Sequence, residues 1–272
     1  MIRAHTSYYI VCATPRSGSS LLCESLRNTC LAGRAEEYFN HKSEAIWRAR
    51  WEIGSTVDYF CWITDRGTSA NGVFGAKIMW EQMAYCVKLL RQLPEYQHDS
   101  QRNIPELIST VFPNVSYIWI TRRDRVRQAV SVDIALQTGN YAWIGDQKPT
   151  SEREPIFNFN RLDFQLHRII ASENAWQQYF TAAGVTPFKV VYEEFVEKFE
   201  ETIRTILEYL SIHVQPNHAF DRPKLKKMAD ALNDEWTQRY NEMKTQQPKD
   251  DARIRQRLAQ WVASKPEGKT QQ

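Results

Sequence analysis

With 272 residues, 42% of them hydrophobic and 25% charged, the chain has the size and balance of one large soluble α/β domain with a substantial buried core. A net charge of +3 is too slight to point to nucleic acid, and it suits an enzyme that handles anions. No segment approaches the roughly 18 apolar residues of a membrane span, and no long apolar run follows Arg3, so neither a transmembrane segment nor a secretory leader is expected.

In chain order, Tyr8 to Ala13 reads as a buried strand, and Thr14 to Ser20 as a tight small-residue turn carrying one cation. A helix follows over Ser19 to Asn28, with leucines at 21, 22 and 26. Gly33 turns the chain into Arg34-Ala35-Glu36-Glu37-Tyr38-Phe39-Asn40, which has the character of a loop or short strand. Residues 43 to 66 hold one or two helices, Val73 to Trp80 a second strand, Glu81 to Leu93 a helix and Tyr96 to Asn103 a surface loop. Val115 to Thr121 is a third strand, ending on Arg122-Arg123-Asp124-Arg125 and leading into a helix through Val126, Ala129, Val130 and Ile134. Residues 139 to 160 form a long loop, Leu162 to Ala183 a long helix, Pro187 to Val191 a last strand and Phe195 to Leu210 another helix. The part from Pro223 onward is helical in pattern. One domain is expected over 1–264, with 265–272 a disordered tail.

Strands alternating with helices imply a doubly wound parallel sheet, whose ligands sit at the carboxyl ends of the strands. Three such ends converge: the 14–20 turn, the segment after Lys77, and the 122–125 arginines. A helix opening at a small-residue turn directs free amides and its positive dipole end at one spot, which suits phosphate or sulfate. Arg16 adds a permanent charge, Ser19 and Ser20 add hydroxyls, and Gly18 permits close backbone approach. The nucleotide loop G-x-x-x-x-G-K-[ST] is not met, because Ser19-Ser20 follow Gly18 and no aspartate ends the 117–121 strand. A metal-dependent kinase or ATPase therefore fits poorly, and it stands as an alternative reading of the loop beside a P-loop nucleotide-binding protein that carries out no transfer. The five cysteines are odd in number and lack a C-x-x-C pair, as expected of reduced, mostly buried thiols in a cytoplasmic protein. The six histidines show no metal-ligand spacing.

Pro15-Arg16-Ser17-Gly18-Ser19-Ser20, set after its strand, resembles the 5′-phosphosulfate loop of sulfotransferases that use PAPS (3′-phosphoadenosine 5′-phosphosulfate). Further blocks resemble the bacterial trehalose 2-sulfotransferase type, in the same order over nearly the whole chain. They are Leu21-Leu22, Glu24-Ser25-Leu26-Arg27, Glu37-x-Phe39, Asn71-Gly72-Val73-x-Gly75-x-Lys77-x-Met79-Trp80, Gln128-Ala129-Val130-Ser131 and Asp234-Glu235-Trp236-x-x-Arg239-Tyr240.

The resemblance implies a P-loop-like sulfotransferase fold, a central parallel sheet flanked by helices with a helical C-terminal part. It also implies sulfuryl transfer from PAPS to a hydroxyl of a sugar or glycolipid, PAP as product, no metal, no nucleic-acid partner and a homodimer. Pro15, Arg16, Ser17, Gly18, Ser19, Ser20 and Leu21 would hold the 5′ end of the donor, with Arg16 stabilising the leaving phosphate. Arg122 and Ser131 would grip the 3′-phosphate, with Arg123, Arg125 and Arg127 as neighbouring candidates or as a solvated basic face. Glu37 would be the catalytic base, and two adjacent carboxylates would raise one another's pKa in its favour. Arg34, Glu36, Tyr38, Phe39 and Lys77 would flank the acceptor. Lys77 has two readings, as a phosphate or acceptor contact and as a snorkelling structural lysine. Trp236 would close over the nucleotide end. Glu36, where the trehalose enzymes have glutamine, and the dissimilar segment 41–51 leave the acceptor itself unassigned.

Overall fold

The computed structural model describes residues 7–97, 101–141, 154–215, 217–223, 231–246 and 256–261. The expected tail at 265–272 and the centre of the expected 139–160 loop, residues 142–153, lie outside the described residues. Four strands, β1 (Ser7–Ala13), β2 (Val73–Met79), β3 (Ser116–Thr121) and β4 (Phe188–Val191), form one parallel sheet in the order β2-β1-β3-β4. The chain leaves β1 towards β2 and leaves β3 towards β4. The connections therefore diverge between β1 and β3, and this divergence opens a crevice at their carboxyl ends.

Both sheet faces are covered, so the strands are largely continuous apolar runs in place of a strict apolar–polar alternation. Tyr8, Ile10 and Cys12 point to one face with Phe74, Ala76, Ile78 and Tyr117. That face is packed by α3 (Thr56–Gly67), α4 (Met83–Leu90), α5 (Ile104–Val111) and α7 (Phe159–Ala183). Tyr9, Val11 and Ala13 point to the other face with Ile118, Ile120 and Val190. Here α1 (Ser19–Asn28), α8 (Tyr192–Glu197) and α9 (Phe199–Tyr209) supply Leu22, Leu26, Phe195, Phe199 and Ile203. Three further helices are α2 (His41–Trp51), α6 (Arg125–Thr138) and α10 (Ala231–Gln246); α6 and α10 share with α7 a separate small core around Val130, Leu162, Trp236 and Tyr240.

Most expected elements are present, with three differences. Helix α5 falls in a stretch not assigned as helical from sequence, although Asn103 and Glu106 cap it reciprocally at 3.0 and 3.1 Å. The expected Phe195–Leu210 helix is broken at Lys198 into α8 and α9, because Lys198 takes the non-helical φ −109°, ψ 50°. The expected helix from Glu81 instead opens as a 3₁₀ turn, Trp80–Gln82, before α4. Among the described residues, no helix is long and apolar enough to cross a membrane. All five cysteines are free; Cys12, Cys23 and Cys86 are buried, and Cys30 and Cys61 are exposed.

Gly33 sets how the segment after α1 returns to the sheet. Its φ is +65°, and a Cβ there would collide with the carbonyl oxygens of Gly67 and Val73, neither of which can rotate away. Downstream of this turn Lys77 N–H donates to the Glu36 carbonyl at 2.9 Å, fixing the 36–37 backbone beside β2. Gly33→Ala is expected to cost about 3 kcal/mol of folding stability. Urea denaturation reads this directly, and an unchanged midpoint would refute the packing argument for the turn.

Candidate active site

The 14–18 loop is shaped around a helix start that its own side chains leave open. Gly18 precedes α1 with φ +94°, and no side chain caps the helix. The first amides of α1 therefore keep the unmet hydrogen-bonding capacity and positive field typical of a helix N-terminus. A Cβ at Gly18 would strike the ring of Tyr192, the first residue of α8, so glycine is required both by conformation and by that contact. Arg16 itself sits at φ +62°, a left-handed conformation that costs a non-glycine residue about 1 kcal/mol or more. The Ser17 hydroxyl is fully buried beneath the loop without a hydrogen-bond partner.

Arg16 and Arg122 share this crevice. Arg16 Nε donates to Ser131 Oγ at 2.9 Å, and its Nη1 donates to the Tyr141 carbonyl. Arg122 follows β3 and places Nη1 3.5 Å from the Arg16 carbonyl oxygen, with its guanidinium 5.0 Å from the centre of the Tyr192 ring. Burial first, and then the charge of Arg122, push the Arg16 guanidinium below its ordinary pKa. Burial lowers Arg122 as well, against the pull of Tyr192 and Glu193. Among the described residues Glu193 is the carboxylate paired with Arg122, at 3.8 Å, and it also accepts from the Arg123 and Asp124 amides at 3.0 and 3.3 Å. Among the described residues Arg16 has no carboxylate partner. Gln128 braces the loop from α6, donating to Thr14 Oγ1 at 2.9 Å and to the Pro15 carbonyl at 2.7 Å.

Glu37 lies on the β2 side of the same helix start. Its Oε1 is 3.0 Å from Lys77 Nζ, and Lys77 Nζ is in turn 3.4 Å from Ser20 Oγ in the first turn of α1. Its Oε2 accepts from Asn40 Nδ2 at 3.0 Å and from Gln82 Nε2 at 2.6 Å. Burial alone would raise the Glu37 pKa, but the Lys77 charge and the bonds from Asn40, Lys77 and Gln82 together hold it below the ordinary carboxylate value. Burial depresses Lys77 in the same way, and Glu37 more than offsets it, so the ammonium titrates above its ordinary value. Both shifts describe one ion pair, and Lys77 is a paired group rather than a snorkelling one.

The expectation that its neighbour Glu36 lifts the Glu37 pKa does not hold. Their side chains diverge, Glu36 lying 3.4 Å from Arg66 and 3.6 Å from Arg34. Tyr38 and Phe39 are placed in the core and not in the crevice: both are 0% exposed, and Tyr38 packs on Trp47 and Phe74 while Phe39 packs on Phe112. They offer an acceptor no surface. Trp236 is likewise withdrawn, set edge-on to Phe157 in the small core. Of the lesser arginines, Arg123 pairs with Glu194, Arg125 with Glu173 at 2.7 Å and Arg127 with Asp234. Asn40, Gln82, Tyr192 and Glu193 were not foreseen: the last three act through contacts distant in sequence, and Asn40, only three residues from Glu37, follows no pattern that marks it as a partner of the acid.

The chain matches the Stf0 sulphotransferase family over residues 8–243. It is 28% identical to the trehalose 2-sulfotransferase of Mycolicibacterium smegmatis, over 87% of this chain and 95% of that protein. It is 29% identical to the trehalose 2-sulfotransferase of Mycobacterium tuberculosis, over 85% and 93% of the two chains. Among solved structures, the sulfotransferase domain of the Synechococcus PCC 7002 olefin synthase covers 87% of this chain and 90% of its own, at 16% identity and a TM-score of 0.42. The match spans the sheet, the loop at the start of α1 and both arginine-bearing strand ends, and the chain belongs to the Stf0 sulphotransferase family.

Proposed function

We propose that the protein transfers a sulfuryl group from PAPS to a hydroxyl of a carbohydrate or glycolipid, by direct in-line displacement. The observation that carries this reading is an under-compensated positive crevice, Arg16 and Arg122 at an uncapped helix start, with an ionised acid joined to its far side through Lys77 and Ser20. A donor with anionic groups at both ends of a nucleoside fits that charge, and the buried, unpartnered Ser17 hydroxyl and Arg122 Nε give it hydrogen bonds to complete. The sugar acceptor is taken from the trehalose-sulfating relatives, whose own acceptor is not carried over.

In this reading PAPS supplies an activated sulfuryl group. Residues 15 to 21 and Arg16 bind its 5′ end, and Arg16 with the first amides of α1 stabilises charge growing on the leaving phosphate. Arg122 and Ser131 hold the 3′-phosphate, with Tyr192 and Glu193 fixing the Arg122 guanidinium. Glu37 orients the acceptor hydroxyl and takes its proton. A carboxylate held at low pKa is a weak base, so the proton moves late, once bonding to sulfur has acidified the hydroxyl. Lys77 keeps that carboxylate ionised. Arg34 and Glu36 border the acceptor side as a half-buried ion pair. Cytoplasmic location and a homodimer belong to the same proposal.

Three outcomes are expected. Glu37→Gln lowers kcat by at least 100-fold while the Kd for PAP stays within about threefold; near-normal turnover removes Glu37 from the chemistry. Arg122→Ala weakens PAP by about 10- to 100-fold and adenosine 5′-phosphate far less; equal losses refute the 3′-phosphate role. Lys77→Met, which strands a largely buried carboxylate, costs on the order of 2 kcal/mol near neutral pH. The Glu37 contribution is lost as pH falls through its depressed folded pKa, and the Lys77 contribution is lost as pH rises through its elevated one. The stability gap between wild type and Lys77→Met should accordingly be widest between about pH 5 and 9 and close at both ends; a pH-independent gap would contradict the pairing.

A further inference from the structure

We propose that Gln82 is a positioning residue for the sulfuryl transfer: its side-chain amide, locked by the Met79 backbone, clamps Glu37 Oε2 and leaves Oε1 to receive the acceptor's proton. This rests on Glu37 being the base.

An ionised carboxylate has about four lone-pair sites. At Glu37 three are engaged by protein donors. Oε2 carries two of them, Gln82 Nε2 at 2.6 Å and Asn40 Nδ2 at 3.0 Å, while Oε1 carries one, Lys77 Nζ at 3.0 Å. The remaining site is on Oε1, the oxygen that also faces the lysine leading to Ser20 and the helix start. A carboxylate free to rotate about its last torsion would present either oxygen. This one is fixed by donors that are themselves fixed. The Gln82 Oε1 accepts the Met79 amide at 3.1 Å, which sets the amide so that its NH₂ end meets Glu37. Asn40 is held in the same way, its Oδ1 capping α2 by accepting the Lys42 amide at 3.0 Å. Gln82 is the third residue after Met79, in the 3₁₀ turn that follows β2, so its side chain ties the end of that strand to the base.

Gln82 also stabilises the charged form of Glu37, so its loss makes Glu37 easier to protonate. The charged and titratable groups facing Glu37 are Lys77 from β2, Cys23 from α1 and the adjacent Glu36, itself occupied by Arg34 and Arg66. The Cys23 thiol is pushed up to about 12, chiefly by burial, and stays neutral through the working range. Over mildly acidic pH, with Lys77 charged and Glu36 paired, the acid limb of kcat/KM reports Glu37.

The test is the pH profile of kcat/KM for Gln82→Leu and Gln82→Glu, beside wild type and Glu37→Gln, with PAP affinity measured for each. Both Gln82 variants should move the acid limb to higher pH, the Glu variant further because it sets a second carboxylate against the first. Each should also lose about tenfold in kcat at neutral pH, with PAP affinity unchanged. Acid limbs superimposable on wild type in both variants would overturn the proposal, and Gln82→Glu, nearly isosteric, keeps that reading available should Gln82→Leu misfold. If Glu37→Gln itself turns over normally, it is the assignment of the base that fails; if Glu37→Gln is inactive while the limbs stay in place, the role of Gln82 alone fails.

Discussion

Two guanidinium groups brought against one turn, with too little negative charge to satisfy them, are the constraint on which the rest of this protein depends. Arg16 is held by a hydroxyl and a carbonyl, Arg122 by a carboxylate 3.8 Å away that also serves two backbone amides. Such an arrangement opposes folding unless the scaffold imposes it, since burial and mutual repulsion both act against the charges. The scaffold does impose it. Parallel pairing of β1 with β3 places their carboxyl ends side by side, which brings Arg16, three residues beyond β1, against Arg122, the residue that follows β3. The field that results is unfavourable for the empty protein and favourable for a polyanion, which is how a rigid site prepares binding in advance.

The acid is placed by a different means. Glu37 belongs to no helix or strand; its position follows from the Gly33 turn, from the bridge of Glu36 to β2, and from the donors that surround its carboxylate. Lys77 joins the two halves, since one buried ammonium reaches both the acid and a hydroxyl in the first turn of α1. A base and an anion cradle on separate elements are thus held in register by a lysine whose own strand is hydrogen-bonded to β1 along its whole length.

Much of this was legible in the sequence because it is local. The apolar runs of β1, β2 and β3, the leucine spacing of α1 and the glycine before it are each written in a few consecutive residues, and the convergence of Arg16, Lys77 and Arg122 follows once the sheet is parallel. The capping pair Asn103 and Glu106 was equally local, but a polar run before it hid α5. Tyr38 and Phe39 follow the acid in sequence yet turn inward, where Phe74 and Phe112 wait, a contact set by the fold and not by the neighbours. Gln82 and Asn40 reach Glu37 from the end of β2 and the start of α2, and polar side chains at such places carry no pattern. The divergence of Glu36 from Glu37 depends on Arg66, thirty residues downstream, so adjacency alone misjudged how the two acids interact.

The most direct measurement is transfer of label from ³⁵S-PAPS, in the presence of a chelator, to a panel of sugars, glycolipids and simple phenols. The account predicts a labelled product from a sugar-bearing acceptor, formed by wild type and not by Arg16→Ala. Failure to bind PAPS, or transfer that survives Arg16→Ala undiminished, would contradict the claim that the arginine pair at the start of α1 is where the donor sits.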